Sequence, residues 1–196
     1  MAVEINQLYA PGKGPEKRVL FVITQSEMGG AQRFVVTLLS LLDRSQYKLR
    51  VLVGSDGGGE LITKLRELQI ETMVIPSLKR NISFLGDITA IKNLRKEIIS
   101  FKPSTVFLNS SKAGFLGSLA TVFPSRLKNI KVIYRIGGWT FNDPWKNHMK
   151  QLWTWLEKIS ASWKDIIIVN NIHDLDQASR LHIQPREKVV LIHNGI

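Results

Sequence analysis

Four short clusters in this 196-residue chain carry residue types able to do chemistry. The first is Met28-Gly29-Gly30-Ala31, with Arg33 close behind. Adjacent glycines let a backbone turn tightly and approach a ligand closely. A helix opening behind them would offer free N–H groups and a positive dipole end to a phosphate. The plainer use of the pair is a packing turn, and the spacing matches neither G-x-G-x-x-G nor a Walker A loop. The second cluster is Asn109-Ser110-Ser111-Lys112-Ala113-Gly114. Its hydroxyls and ammonium can hold an acceptor hydroxyl or a phosphate, while capping the following helix is the plainer task for one serine. Gly114, Gly117 and Ala120 read as close helix–sheet packing.

The third cluster runs from Arg135 through Gly137-Gly138-Trp139 to Asp143-Pro144. Arg135 can pair with a phosphate, Gly138 can let a ligand approach, and Trp139 can stack on a sugar or line a lipid groove. Asp143 is a candidate general base, but Asp before Pro is also a standard helix start, and that reading is favoured. The fourth cluster is aromatic and basic. All five tryptophans lie between Trp139 and Trp163. Met149, Leu152, Trp153, Leu156, Ile159 and Trp163 fall on one helical face with Trp155 at its edge, and Lys146, Lys150, Lys158 and Lys164 surround them. Such a helix resembles an interfacial membrane anchor with Lys146, Lys150, Trp153 and Trp155 facing the lipid. A core-facing helix with solvated lysines is the favoured alternative.

Other chemistries find little support. Asp174-Leu175-Asp176 has the letters of a metal-binding D-x-D, but acidic residues are favoured in a first helical turn anyway. The histidines at 148, 173, 182 and 193 form no H-x-x-x-H pair. No metal site is therefore expected. With no cysteine, thiolate ligands, disulfides and a cysteine nucleophile are excluded, and no G-x-S-x-G elbow occurs. The chain carries 27 Lys and Arg against 16 Asp and Glu, a net charge of +11, which favours polyanions. Nucleic acid is the weakest of these partners because no nucleic-acid-binding motif accompanies the charge. No apolar run approaches the roughly 18 residues of a membrane span.

The elements that must position these clusters alternate. Apolar, β-branched runs at Arg18–Thr24, Lys48–Gly54, Glu71–Ile75, Ser104–Leu108, Ile130–Tyr134, Asp165–Val169 and Lys188–Ile192 read as strands buried on both faces. Helical stripes separate them, including one over about Pro144 to Ser162. That alternation predicts a doubly wound, mostly parallel α/β sheet of six to seven strands. Ligands bind outside the carboxyl ends of such strands, so the first three clusters fall on the loops that matter. Residues 1–17 read as a flexible lead-in and 18–196 as one Rossmann-like domain.

Three motifs in register resemble the N-terminal, acceptor-side domain of family 4 retaining glycosyltransferases of GT-B fold. Gly29-Gly30-Ala31-Gln32-Arg33 is similar to that family's GGAE loop. Ser110-Ser111-Lys112-Ala113-Gly114-Phe115-Leu116-Gly117 resembles the HSSKAGLLG stretch of members that build lipopolysaccharide, capsule and exopolysaccharide. Ile192-His193-Asn194-Gly195-Ile196 resembles the PNGID segment at the start of the interdomain linker. The likeness implies retaining, metal-independent sugar transfer in cell-surface polysaccharide synthesis, from a nucleotide-sugar donor to a lipid-linked or glycan acceptor. It places the donor in a C-terminal domain beyond this chain, which alone would then be inactive. It implies no cofactor here; the positive charge and the Trp/Lys helix add the expectation of a cytoplasmic protein peripheral to an anionic membrane face. Two departures matter: Gly137-Gly138 stand where the family often has His-Gly, and Leu108-Asn109 where it has a strand-end histidine, so no catalytic histidine carries over. A noncatalytic sugar-, phosphate- or membrane-binding module of the same fold is the alternative.

Overall fold

A computed structural model describes residues 17–194. Seven strands alternate with six α-helices: β1 (Lys17–Gln25), α1 (Gly30–Leu41), β2 (Tyr47–Asp56), α2 (Glu60–Glu67), β3 (Glu71–Ile75), α3 (Phe84–Phe101), β4 (Thr105–Asn109), α4 (Ser111–Val122), β5 (Lys131–Arg135), α5 (Asn147–Ala161), β6 (Ile166–Val169), α6 (Ile172–Arg180) and β7 (Lys188–Leu191). The sheet order is β3-β2-β1-β4-β5-β6-β7, and every pairing is parallel. The predicted doubly wound α/β sheet is therefore present, with seven strands. The lead-in read over residues 1–17 lies outside the described residues except for Lys17, which opens β1.

Alternation along the strands sorts side chains between two cores. Val19, Phe21 and Ile23 of β1 pack with Val35 and Leu39 of α1 and Leu61 and Leu65 of α2. Leu20 and Val22 face the other way, toward Leu94 and Ile98 of α3 and Leu116 of α4. β1, β2 and β4 are thus buried on both faces. β6 alternates between buried and half-buried positions, and β7 is half-buried or exposed throughout. The expectation of two-sided burial fails at both edges of the sheet: β3 buries only Ile75 and β7 none of its residues, because each edge strand pairs on one side only.

Three helix starts are fixed by side chains that accept from otherwise unpaired N–H groups. Ser83 accepts from Gly86 N, Ser110 from Ala113 N, and Asn171 from Asp174 N. α1 begins without such a cap and without an acid in its first turn. The strand order reverses between β1 and β4, and open α/β sheets bind ligands at that switch point. Next to it, the β1–β2 pairing shifts register between Ile23 and Gln25, with the extra residue on β2, and bulges are frequent beside functional sites. The Thr24 and Ser110 hydroxyls meet across the point at 2.6 Å.

Candidate acceptor site at the carboxyl rim

Above the switch point lies a cavity of about 390 Å³. Thr24 and Gln25 line it from β1, Arg80, Asn81 and Ile82 from the β3–α3 loop, and Ser110, Ser111 and Lys112 from the start of α4. Thr140, Asp143, Trp145, Met149 and Trp153 close the far side. Hydroxyls, a carboxylate, cations and indole rings on one wall set form a surface suited to a polar, polyhydroxylated ligand with an anionic portion.

The Ser-Ser-Lys cluster divides its labour. Ser110 is the cap, and its oxygen is taken by Ala113 N and by Thr24. Its backbone sits at φ 142° and ψ 155°, a region that residues with a Cβ rarely enter. Such conformations cost about 1–3 kcal/mol and cluster at functional sites. Ser111 hydrogen-bonds the Thr140 hydroxyl and lies 3.5 Å from the Tyr134 hydroxyl. Lys112 donates to the Asn81 carbonyl at 2.5 Å and pairs with Asp87 at 2.7 Å. Its charge is thus partly compensated, and it ties α4 to the β3–α3 loop. Arg80 takes part in no ion pair among the described residues, and its backbone N–H is held by Asp56 at 2.7 Å.

Behind Ser111 is a buried ionisable cluster that no sequence motif announces. Tyr134 OH donates to Glu157 at 3.0 Å. Lys164 donates to Ser160 at 2.7 Å, approaches Glu157 at 3.5 Å, and stands 4.4 Å over the Tyr134 ring. Burial pushes the Tyr134 pKa well above its ordinary value, and the Glu157 charge pushes the same way. Burial pulls the Lys164 pKa down against the opposing pull of Glu157. Gly114 makes room for this ring, since a Cβ there would meet Tyr134 Cε2 at 2.5 Å. A Cβ at Gly117 would meet Leu108 at 2.4 Å, so the packing role read for both glycines is observed.

The structure gathers Ser110, Ser111, Lys112, Asp143 and Trp153 at the cavity and leaves other candidates elsewhere. Trp139 is 1% exposed, stacks on Phe141 and donates from Nε1 to the Asp174 carbonyl at 2.9 Å. It is a core residue and presents no face to a sugar, which corrects that expectation. Arg135 is also buried, lies 3.8 Å over the Phe34 ring and donates to Asn194. Burial lowers its pKa from the ordinary arginine value. Its charge is spent on Phe34 and Asn194 and not on an open phosphate site. Gly29 and Gly30 start α1, where the Gln32 side chain reaches back to Gly29 N at 3.2 Å. Arg33 is exposed on that helix. A Cβ at Gly30, Gly137 or Gly138 would meet nothing within 4 Å, and Gly138 has φ 142°.

Asp143 does not cap α5, which begins four residues later after a 3-10 turn at Thr140–Asn142. That correction leaves its exposed carboxylate on the cavity wall. Lys164, read as a solvated member of the basic rim, is 0% exposed. Asp174 is buried and hydrogen-bonded to Asn171, whereas Asp176 pairs with Arg180. The letters D-x-D thus describe one buried partner of the Asn171 cap and one surface ion pair. Sequence reasoning missed Thr24, Arg80, Asn81 and Thr140. Only the Lys79-Arg80-Asn81 run on a rim loop could have signalled any of them.

Known proteins match this architecture and sequence. The model for Glycosyltransferase Family 4 matches residues 28–196. An Escherichia coli UDP-Gal:alpha-D-GlcNAc-diphosphoundecaprenol alpha-1,3-galactosyltransferase is 26% identical over 173 residues, 86% of this chain and 42% of that protein. The Escherichia coli O-antigen biosynthesis glycosyltransferase WbnH is 25% identical over 182 residues, 92% of this chain and 49% of that protein. The chain therefore spans about half the length of the curated relatives it matches. Among solved structures, Anabaena Alr3699/HepE in complex with UDP and glucose superposes with a TM-score of 0.67 at 16% identity, covering 92% of this chain and 45% of that one. The lipopolysaccharide outer core galactosyltransferase WaaB gives 0.65 at 12% identity, covering 92% and 46%. The likeness of these two is one of fold, that of GT-B glycosyltransferases. Matched by its model from Met28 to Ile196, the chain belongs to Glycosyltransferase Family 4 and forms a glycosyltransferase domain of seven parallel strands.

Proposed function

We propose that the chain is the acceptor half of a retaining glycosyltransferase that moves a sugar from a nucleotide-sugar donor to a lipid-linked or glycan acceptor in cell-surface polysaccharide synthesis. The carrying observation is the rim cavity, where Ser111, Thr140, Asp143 and Arg80 converge at the sheet's switch point. The Escherichia coli relative named for a diphosphoundecaprenol-linked acceptor supports this reading. Ser111 and Thr140 position the acceptor sugar, and the exposed Asp143 carboxylate accepts the hydrogen bond of the attacking hydroxyl. Arg80 and the third donor of Lys112 answer the acceptor's phosphates. The uncapped first turn of α1 directs unpaired N–H groups and a positive dipole end toward a departing diphosphate. The donor is held by chain outside this domain, and the protein works at an anionic membrane face of the cytoplasm.

Transfer from UDP-sugars to an N-acetylglucosaminyl-diphosphoprenyl acceptor, followed by anomeric analysis of the product, tests the reading. Asp143→Asn should lower kcat by about 10²-fold or more with the fold intact, as loss of a positioned proton acceptor does. Full activity in that variant removes Asp143 from the mechanism. Saturable acceptor binding without turnover by the full-length protein would favour the noncatalytic module.

A further inference from the structure

A second cavity of about 380 Å³ adjoins the rim site and differs from it in chemistry. α4 forms its floor with Phe115 and Leu119. Ile88 and Ile91 of α3 form one wall, and Trp153 and Leu156 of α5 form the other. Its polar neighbours are largely engaged elsewhere: Ser160 accepts from Lys164, Asp87 pairs with Lys112, and Glu157 accepts from Tyr134 through one oxygen while the other, 3.5 Å from Lys164, has no hydrogen-bond partner. What remains open is a dry trough. It shares Ile82, Ser111, Lys112 and Trp153 with the acceptor cavity, so the two are continuous. Trp153 keeps a buried indole N–H without a partner at this junction. Ile82 and Phe84, exposed at 60% and 79%, line the trough just after Arg80 of the acceptor cavity in the chain.

A polar cavity with cations at its edge, running into an apolar trough, has the order of an amphiphile: sugar, phosphate, hydrocarbon. We propose that the trough between α3 and α5 holds the first isoprenoid units of a lipid-linked acceptor, with its phosphates at Arg80 and Lys112. The assignment rests on the acceptor reading above and names the acceptor class as prenyl diphosphate. Continuity with the acceptor cavity selects this occupant over a partner helix. A helix in the trough would meet a sugar-binding site at its end and leave Arg80 without a counter-charge.

Calorimetric titration of the full-length protein with inorganic pyrophosphate, geranyl diphosphate and farnesyl diphosphate tests it. Affinity should rise about tenfold or more with each added isoprene, since every buried methylene strengthens apolar binding. Ile88→Asp changes a 37% exposed wall residue and should fold. It should flatten the chain-length series while leaving pyrophosphate binding within about twofold. Equal affinity for pyrophosphate and farnesyl diphosphate, or an unchanged series in Ile88→Asp, overturns the assignment. Sugar transfer with the same KM for long-chain and short-alkyl acceptors overturns it too, while the transferase reading stands. A chain-length series in a protein that glycosylates no lipid-linked acceptor supports the trough and defeats the transferase reading instead.

Discussion

Single residues separate what packing demands from what a ligand demands, and the glycines show it best. A Cβ at Gly54 would lie 1.9 Å from the Thr24 carbonyl and 2.1 Å from the Leu78 carbonyl, both rigid backbone. One at Gly30 would meet nothing. Gly54→Ala should therefore cost more than the 1–3 kcal/mol typical of overpacking. Gly30→Ala should leave the melting temperature unchanged or slightly raised, because alanine favours helix by up to about 1 kcal/mol. If Gly30→Ala also abolishes sugar transfer, the empty space above α1 is ligand space. A large drop in melting temperature would instead make Gly30 structural. Tyr134 carries a pH prediction. Its pKa is raised in the folded state, so above its ordinary value of 10 the unfolded chain loses that proton while the folded chain keeps it. Stability then falls as pH rises. Denaturant melts between pH 9 and about 11 should show a fall that Tyr134→Phe reduces. An identical slope in both proteins would mean the buried hydroxyl does not titrate as its surroundings require.

At the scale of elements, α5 is the least conventional helix. Its buried positions are Glu157, Ser160 and Ala161, while Leu152, Trp155 and Ile159 stand 40%, 57% and 37% exposed. Lys150 and Lys158 flank the same surface. A stripe that was read as more suited to a core thus turns part of its apolar side to solvent. The reason is α4: its small residues let it sit close to the sheet, where it takes the space a core-facing α5 would fill. Aromatic and basic side chains together suit an anionic interface. We expect pelleting with anionic vesicles, none with neutral ones, and loss of pelleting in Trp155→Glu/Lys150→Glu. Absence of pelleting with anionic vesicles would end the membrane-surface reading. No described helix is long and apolar enough to cross a membrane.

For the whole molecule, the seven-strand sheet is a rigid frame with one functional edge. The chain covers 42% and 49% of its curated relatives, and the site proposed here supplies walls for an acceptor alone. Residues 1–196 alone should therefore bind a prenyl diphosphate without releasing UDP from a UDP-sugar. Sustained UDP release dependent on an acceptor would show that this half suffices for transfer.

The strand–helix alternation was legible because period-2 and period-3.6 patterns are local, and so was the rim, because parallel crossovers put every strand-to-helix loop on one edge. That Ser110, Ser111 and Lys112 line the rim cavity could be read in advance because they fall on such a loop. Local sequence could not say which way a rim side chain points. Trp139 and Arg135 sit on the correct loop and strand end, yet packing turns both inward, Trp139 onto Phe141 and Arg135 onto Phe34. Asp143 was freed by a 3-10 turn that shifts the start of α5, and Lys164 was buried against Ser160 and Glu157, one and two turns earlier in the same chain segment. The trough between α3 and α5 exists only because two helices some fifty residues apart both lean on α4. Periodicity and loop position belong to the chain; orientation, pairing and enclosed space depend on distant segments meeting, and only the folded structure brings those together.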